Sequence, residues 1–145
     1  MINKVWAKHL QKNGHVGFSG RPHKYGAVAT TTHDGIKHAS KGQADRWDFL
    51  KNAEGMGLIK NLRREIPFKL EINGVNVCIY RADHVYELAG DFAVEARRKG
   101  QPLCVVEDYK GTVTPEARLK MRLYEALHGW PVKVVKTPRA GLGWL

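Results

Sequence analysis

The chain is poor in cysteine, in acidic residues and in long apolar runs. Its two cysteines, Cys78 and Cys104, cannot build a disulfide framework. No CxxC or HxxxH spacing offers a zinc site. Two reduced thiols, largely buried on strands, are the expectation. No stretch approaches the roughly 18 apolar residues of a membrane helix. The opening residues, MINKVWAKHLQKNGH, lack the apolar centre of a signal peptide. These two absences lead to the expectation of a soluble, intracellular (cytoplasmic) protein. Acids are outnumbered, 14 Asp and Glu against 24 Lys and Arg, for a formal charge of +10 and a pI near 9.8. A positive field of that size on 145 residues attracts polyanions through phosphate contacts and counterion release. Nucleic acid is the leading partner. An anionic membrane would require an amphipathic anchor, and none is evident.

What is present divides into three parts. Residues 1–26 are basic and rich in Gly and His, and read as a largely irregular arm with a short helix around Trp6. Residues 27–136 carry the periodic segments of one α/β domain, and residues 137–145 read as a tail. AVATTTHDGIKH suggests a hairpin around Asp34-Gly35. Ser40 and Gln43 have capping-box spacing ahead of a helix with Ala44, Trp47, Leu50 and Ala53 on its buried stripe. Gly55 and Gly57 end that helix, and Ile59–Arg64 reads as a linker or turn. Strands are expected over 67–73 and 75–88, joined by the hairpin signal Asn73-Gly74. A long hairpin over 87–101, turning near Arg98–Gln101, leads to a third strand, PLCVVEDYK. Thr114-Pro115 opens a second helix, with Ala117, Met121, Tyr124 and Leu127 or His128 inward. PVKVVK is a last strand. The order helix, three strands, helix, strand implies a small mixed sheet flanked by helices.

The stretch VVEDYKG, 105–111, concentrates the chemistry. Strand alternation puts Asp108 and Lys110 on one face and Glu107 and Tyr109 on the other. A carboxylate beside a lysine at a strand end is often a plain ion pair. Here the neighbouring strand carries Asp83, and two carboxylates brought together repel and raise each other's pKa. A hard divalent cation relieves that repulsion, and Mg²⁺ is typically held by one or two carboxylates plus water. Metal, lysine and a basic surface together describe phosphodiester hydrolysis.

Ala82-Asp83-His84 followed by VVEDYKG resembles the motif of the PD-(D/E)xK nuclease superfamily, whose restriction-endonuclease-like core has the α-β-β-β-α-β order expected here. The chain further resembles a family of small phage or prophage nuclease-like proteins, akin to Holliday-junction resolvases, along KYGA, DGIKHASKGQADRW, NGVNVCIYRADHVY, VVEDYKG and RLKMRLYEALHG. The resemblance implies that Asp83 and Asp108 hold Mg²⁺ (or Mn²⁺), with the Tyr109 carbonyl as a further ligand and Lys110 as the catalytic lysine. Glu107 matches an acid preceding the motif, although its strand face points away from the metal. Gln43 stands where related sequences place a glutamate; it is either a ligand through its carbonyl or only the capping residue. Asp91, in the expected long hairpin, competes with Asp83 for the role of first metal acid. Related sequences often carry Phe in place of His84, which reads as a surface or edge residue.

The function implied is a Mg²⁺-dependent endonuclease acting on DNA, with branched DNA and a homodimer as features common among small members of the superfamily. The alternative is a non-catalytic DNA-binding module that keeps the fold, and RNA fits the charge equally well. Lys24, Lys37 and Lys41, with Arg118, Lys120 and Arg122 on the second helix, are the cations expected to meet phosphates. Trp47 and Trp130 read as packing residues, while Trp6 and Trp144 lie in the two terminal segments.

Overall fold

In the computed structural model the described residues are 28–144. Lys24, Trp6 and the rest of the basic arm lie outside them. The chain enters a two-residue antiparallel hairpin, β1 (Thr30–Thr31) and β2 (Lys37–His38), turning at Asp34 and Gly35 as expected. Helix α1 (Lys41–Gly55) follows, and Ser40 Oγ accepts from the Gln43 backbone N–H at 3.2 Å to cap it. Ala44, Trp47, Leu50 and Ala53 are all buried.

Two long strands come next, β3 (Ile59–Ile72) and β4 (Val75–Leu88). Asn73 and Gly74 both take positive φ, 50° and 76°, which gives the tight turn that matches the twist of a hairpin. Strand β3 begins at Ile59, so residues 59–64 are strand and not the expected linker. Their register with β4 (Ile59↔Leu88, Arg63↔Val85, Arg64↔His84) supplies the hydrogen bonds that a turn would have found locally.

The expected hairpin over 87–101 is instead crossed by helix α2 (Gly90–Arg98). Asp91 in its first turn and Arg97 and Arg98 in its last complement the helix dipole, and Ala93 and Ala96 pack inward. Strand β5 (Cys104–Tyr109), helix α3 (Pro115–His128) and strand β6 (Lys133–Val135) complete the chain. Thr114 Oγ1 caps α3 through Ala117 N–H, and Gly129 at φ 77° ends it. Met121 and Tyr124 are buried on α3, whereas Leu127 is exposed.

The protein is therefore α/β; among the described residues it has a mixed four-stranded sheet ordered β3-β4-β5-β6 and three helices. The β5–β6 pair is parallel and the others antiparallel. One apolar cluster lies on the α1 and α2 side, around Leu50, Ile59, Tyr86, Leu88 and Val105. The other lies on the α3 side, around Leu70, Tyr80, Ala82, Val106 and Tyr124.

Residues 137–144, expected as a tail, fold back into the first cluster. Leu142 is buried there and Trp144 packs beside it, edge-on to Trp130. Cys104 is exposed and Cys78 only half-buried, against the expectation of buried thiols.

Arg46 holds this side together. Its guanidinium donates to both oxygens of Glu107 at 2.8 Å, and both side chains are fully buried. It also donates to the carbonyls of Pro138, at 3.2 Å, and Ala140. Breaking such a pair leaves an uncompensated buried charge. Arg46→Met should therefore lower the unfolding free energy by roughly 3–5 kcal/mol in urea titrations, and adding Glu107→Met should recover part of the loss.

Candidate metal and phosphate site

Strict alternation would place all even residues of β4 on one face. Yet Tyr80 and Ala82 belong to the α3-side cluster, and Tyr86 and Leu88 to the α1-side cluster. Strand β3 changes sides in the same way, with Leu62 on the α1 side and Ile66, Phe68 and Leu70 on the α3 side. Both strands thus swap faces at one level. That level is occupied by Glu65, which has left-handed backbone at φ 51°, and by Asp83 opposite it, between the pairs Arg64↔His84 and Ile66↔Ala82.

The swap turns Asp83 toward the end of β5. The β4–β5 ladder stops at His84↔Glu107. Just beyond it, Asp83 Oδ2 accepts from the Tyr109 backbone N–H at 2.8 Å, replacing the missing ladder partner. Lys110 Nζ lies 3.4 Å from Asp108 Oδ1 and 3.9 Å from Asp83 Oδ2. Asp83, Asp108, Tyr109 and Lys110 therefore meet at the notch where β5 ends and β4 continues alone. The Tyr109 ring lies over Gly42 in the first turn of α1, where any Cβ would collide with it.

Asp108 is 1% exposed, and among the described residues its Oδ1 accepts no hydrogen bond, although the Lys110 ammonium pairs with it at 3.4 Å; the buried Tyr80 hydroxyl has no hydrogen-bond partner there either. Burial, and after it the neighbouring Asp83 carboxylate, pushes the Asp108 carboxyl up to about 7. Lys110 opposes that rise without cancelling it. Burial and the same carboxylates also raise the Tyr80 phenol.

The other expected site residues fall in different places. Gln43 borders a small cleft with Glu65, Asp83 and His84, so it adjoins the acids. Glu107 is committed elsewhere: besides Arg46 it accepts from the Tyr86 hydroxyl at 3.1 Å and lies 3.2 Å from His84 Nδ1. Burial alone would raise the Glu107 carboxyl, but Arg46 and His84 hold it down at about 2. His84 is 2% exposed and stacks on Trp47, so the surface or edge reading is corrected: its ring is needed between Glu107 and the α1 indole. Asp91 is exposed on α2, which joins the other end of β5, so it does not compete with Asp83.

Lys37 is exposed on β2, and Lys41 pairs with Asp45 at 2.7 Å. Lys120 pairs with Glu116 at 3.0 Å. Arg118 and Arg122 line a separate groove with Val113, Met121 and Val132. A larger cavity, about 840 Å³, runs along α1 and residues 137–139 and contains none of the acids of the notch.

Sequence reasoning missed Arg46, Glu65 and Tyr80. Arg46 did leave a signal, because it shares helical spacing with Leu50 and Ala53 while Glu107 sits among strand hydrophobics. Glu65 left none, since its importance comes from a backbone turn.

Among the described residues no group of three or more His, Cys, Asp or Glu side chains stands close enough to hold a metal, and no helix is long and apolar enough to cross a membrane. Two adjacent carboxylates, one with a buried oxygen that accepts no hydrogen bond among the described residues, nonetheless suit Mg²⁺, which keeps water or phosphate in its remaining positions. No protein-family model, curated protein or solved structure matches the chain.

The raised Asp108 pKa has a consequence for stability in the absence of divalent cations. The folded state holds a proton that the unfolded chain releases near pH 4. Its contribution is full below that pH and is lost as pH rises to about 7. Thermal melts in EDTA should show stability falling across that window, and Asp108→Asn should flatten the fall.

Proposed function

We propose that the protein is a Mg²⁺-dependent endonuclease of the PD-(D/E)xK type, acting on DNA. The observation that carries this reading is the meeting of Asp83, Asp108 and Lys110 at the face swap, where the buried Asp108 Oδ1 accepts no hydrogen bond among the described residues and faces the Lys110 ammonium. The α/β order, with α2 inserted between β4 and β5, supports a restriction-endonuclease-like core.

Asp83 and Asp108 would hold the cation, with the Tyr109 carbonyl beside them. Bound there, Mg²⁺ would polarise a phosphoryl oxygen and lower the pKa of a water. Lys110 orients the attacking water and offsets charge developing on the phosphate. The Tyr109 N–H fixes the Asp83 carboxylate, and the Arg46–Glu107 pair fixes the strand that presents Asp108.

Gln43 at the cleft favours a second reading, a DNA-binding module in which Lys110 alone neutralises the acids. Cleavage of a four-way junction, a matched duplex and single-stranded DNA in Mg²⁺, Mn²⁺ and EDTA separates the two. The nuclease should cut only with metal, and Asp108→Ala should lose at least about 100-fold in rate, the scale of removing an electrostatic group from a reacting centre. Salt-sensitive binding with no cutting in either metal would establish the module. In that case Gln43→Glu, which adds a third carboxylate to the cleft, should raise Mn²⁺ affinity in calorimetric titration.

A further inference from the structure

Beyond the end of β5, the β3–β4 pair continues as a ribbon whose two faces differ. One face, with Phe68, Leu70, Tyr80 and Ala82, packs under α3, where the Tyr124 ring meets both Phe68 and Tyr80. The other face belongs to the α1 side of the sheet, yet α1 lies over the part of that side beyond the face swap, around Tyr86 and Val105. Pro67, Lys69, Glu71, Val77, Ile79 and Arg81 on this second face are all exposed. Register sets Lys69 opposite Ile79 and Pro67 opposite Arg81. Lys69 and Arg81 are therefore diagonal neighbours, about 7–8 Å apart, a separation from which both reach one phosphodiester backbone. Val77 and Ile79, 54% and 41% exposed, lie beside them.

We propose that this face, which no described element covers, is the platform on which a nucleic-acid strand lies as it leads to the notch. Lys69 and Arg81 contact phosphates, and Ile79 and Val77 give apolar footing to sugars. The inference rests on the notch being a nucleic-acid site, and it deepens that reading by naming the contact surface. Continuity supports it, because Arg81 lies two residues before Asp83 on the same strand. Charge supports it as well. The face carries two cations and one acid, Glu71, on a chain of net charge +10. A second copy stacked on the same face would bring four cations against two acids, whereas a polyanion meets them with its own charge.

The test is fluorescence anisotropy of labelled duplex and single-stranded DNA in EDTA, from 50 to 300 mM salt, with wild type and Lys69→Ala/Arg81→Ala. Both residues are exposed, so the melting temperature should not move. Each lost phosphate contact removes roughly 0.7–0.9 from the slope of log affinity against log salt, so the double variant should lose about 1.4–1.8. An unchanged slope overturns the platform while leaving the nuclease standing. Binding that depends on the platform, without cutting by wild type, keeps the platform and overturns the nuclease. If wild type binds neither DNA, both fall.

Discussion

The buried pair between Arg46 and Glu107 is the constraint on which the rest depends. It ties α1 to the central strand β5 across the α1-side core, and its spare donors hold the returning C-terminal segment. Glu107 in turn receives Tyr86 and contacts His84, and His84 stacks on Trp47. The Trp47 indole donates to Asp34 at 2.6 Å, which carries the chain of contacts to the β1–β2 hairpin. Two groups that would be costly alone are stable because each lone pair and N–H has a partner.

That anchoring lets the next residue of β5 do the opposite. Glu107 is buried and satisfied, while Asp108 is buried beside Asp83 with an oxygen that accepts no hydrogen bond among the described residues and has the Lys110 ammonium 3.4 Å away. Adjacent positions on one strand thus face two environments, one fully hydrogen-bonded and one crowded with like charge. A rigid strand is what allows two carboxylates to be held together against their repulsion. The same rigidity keeps Lys110 within reach of both.

The face swap at Glu65 and Asp83 is the second organising feature. It gives β3 and β4 a core on each side of the sheet, one before the swap and one after. It also frees the Asp83 side chain from both cores, so that its carboxylate can take the Tyr109 N–H. The end of β5, the uncovered ribbon face and the first turn of α1 converge at that level.

Much of this was legible in the residues. The capping residues Ser40 and Thr114, the Asn73-Gly74 turn and the four buried positions of α1 follow from local chemistry, and the structure has them. Asp83, Asp108 and Lys110 could be singled out because neighbouring strands bring such residues together at a sheet edge. Strand β3 before Pro67 and helix α2 were not legible: KNLRRE is polar enough for a loop, and the α2 segment also suits a hairpin return. Pairing with β4 decided the first, and burial of Ala93 and Ala96 against the α1-side core decided the second. The sequence alone determined the local elements and the roster of charged groups, because propensity and spacing are local properties. Only the tertiary structure decided that Glu107 would be an anchor and Asp108 a buried carboxyl set beside Asp83 and Lys110, because burial and partners come from residues distant in the chain.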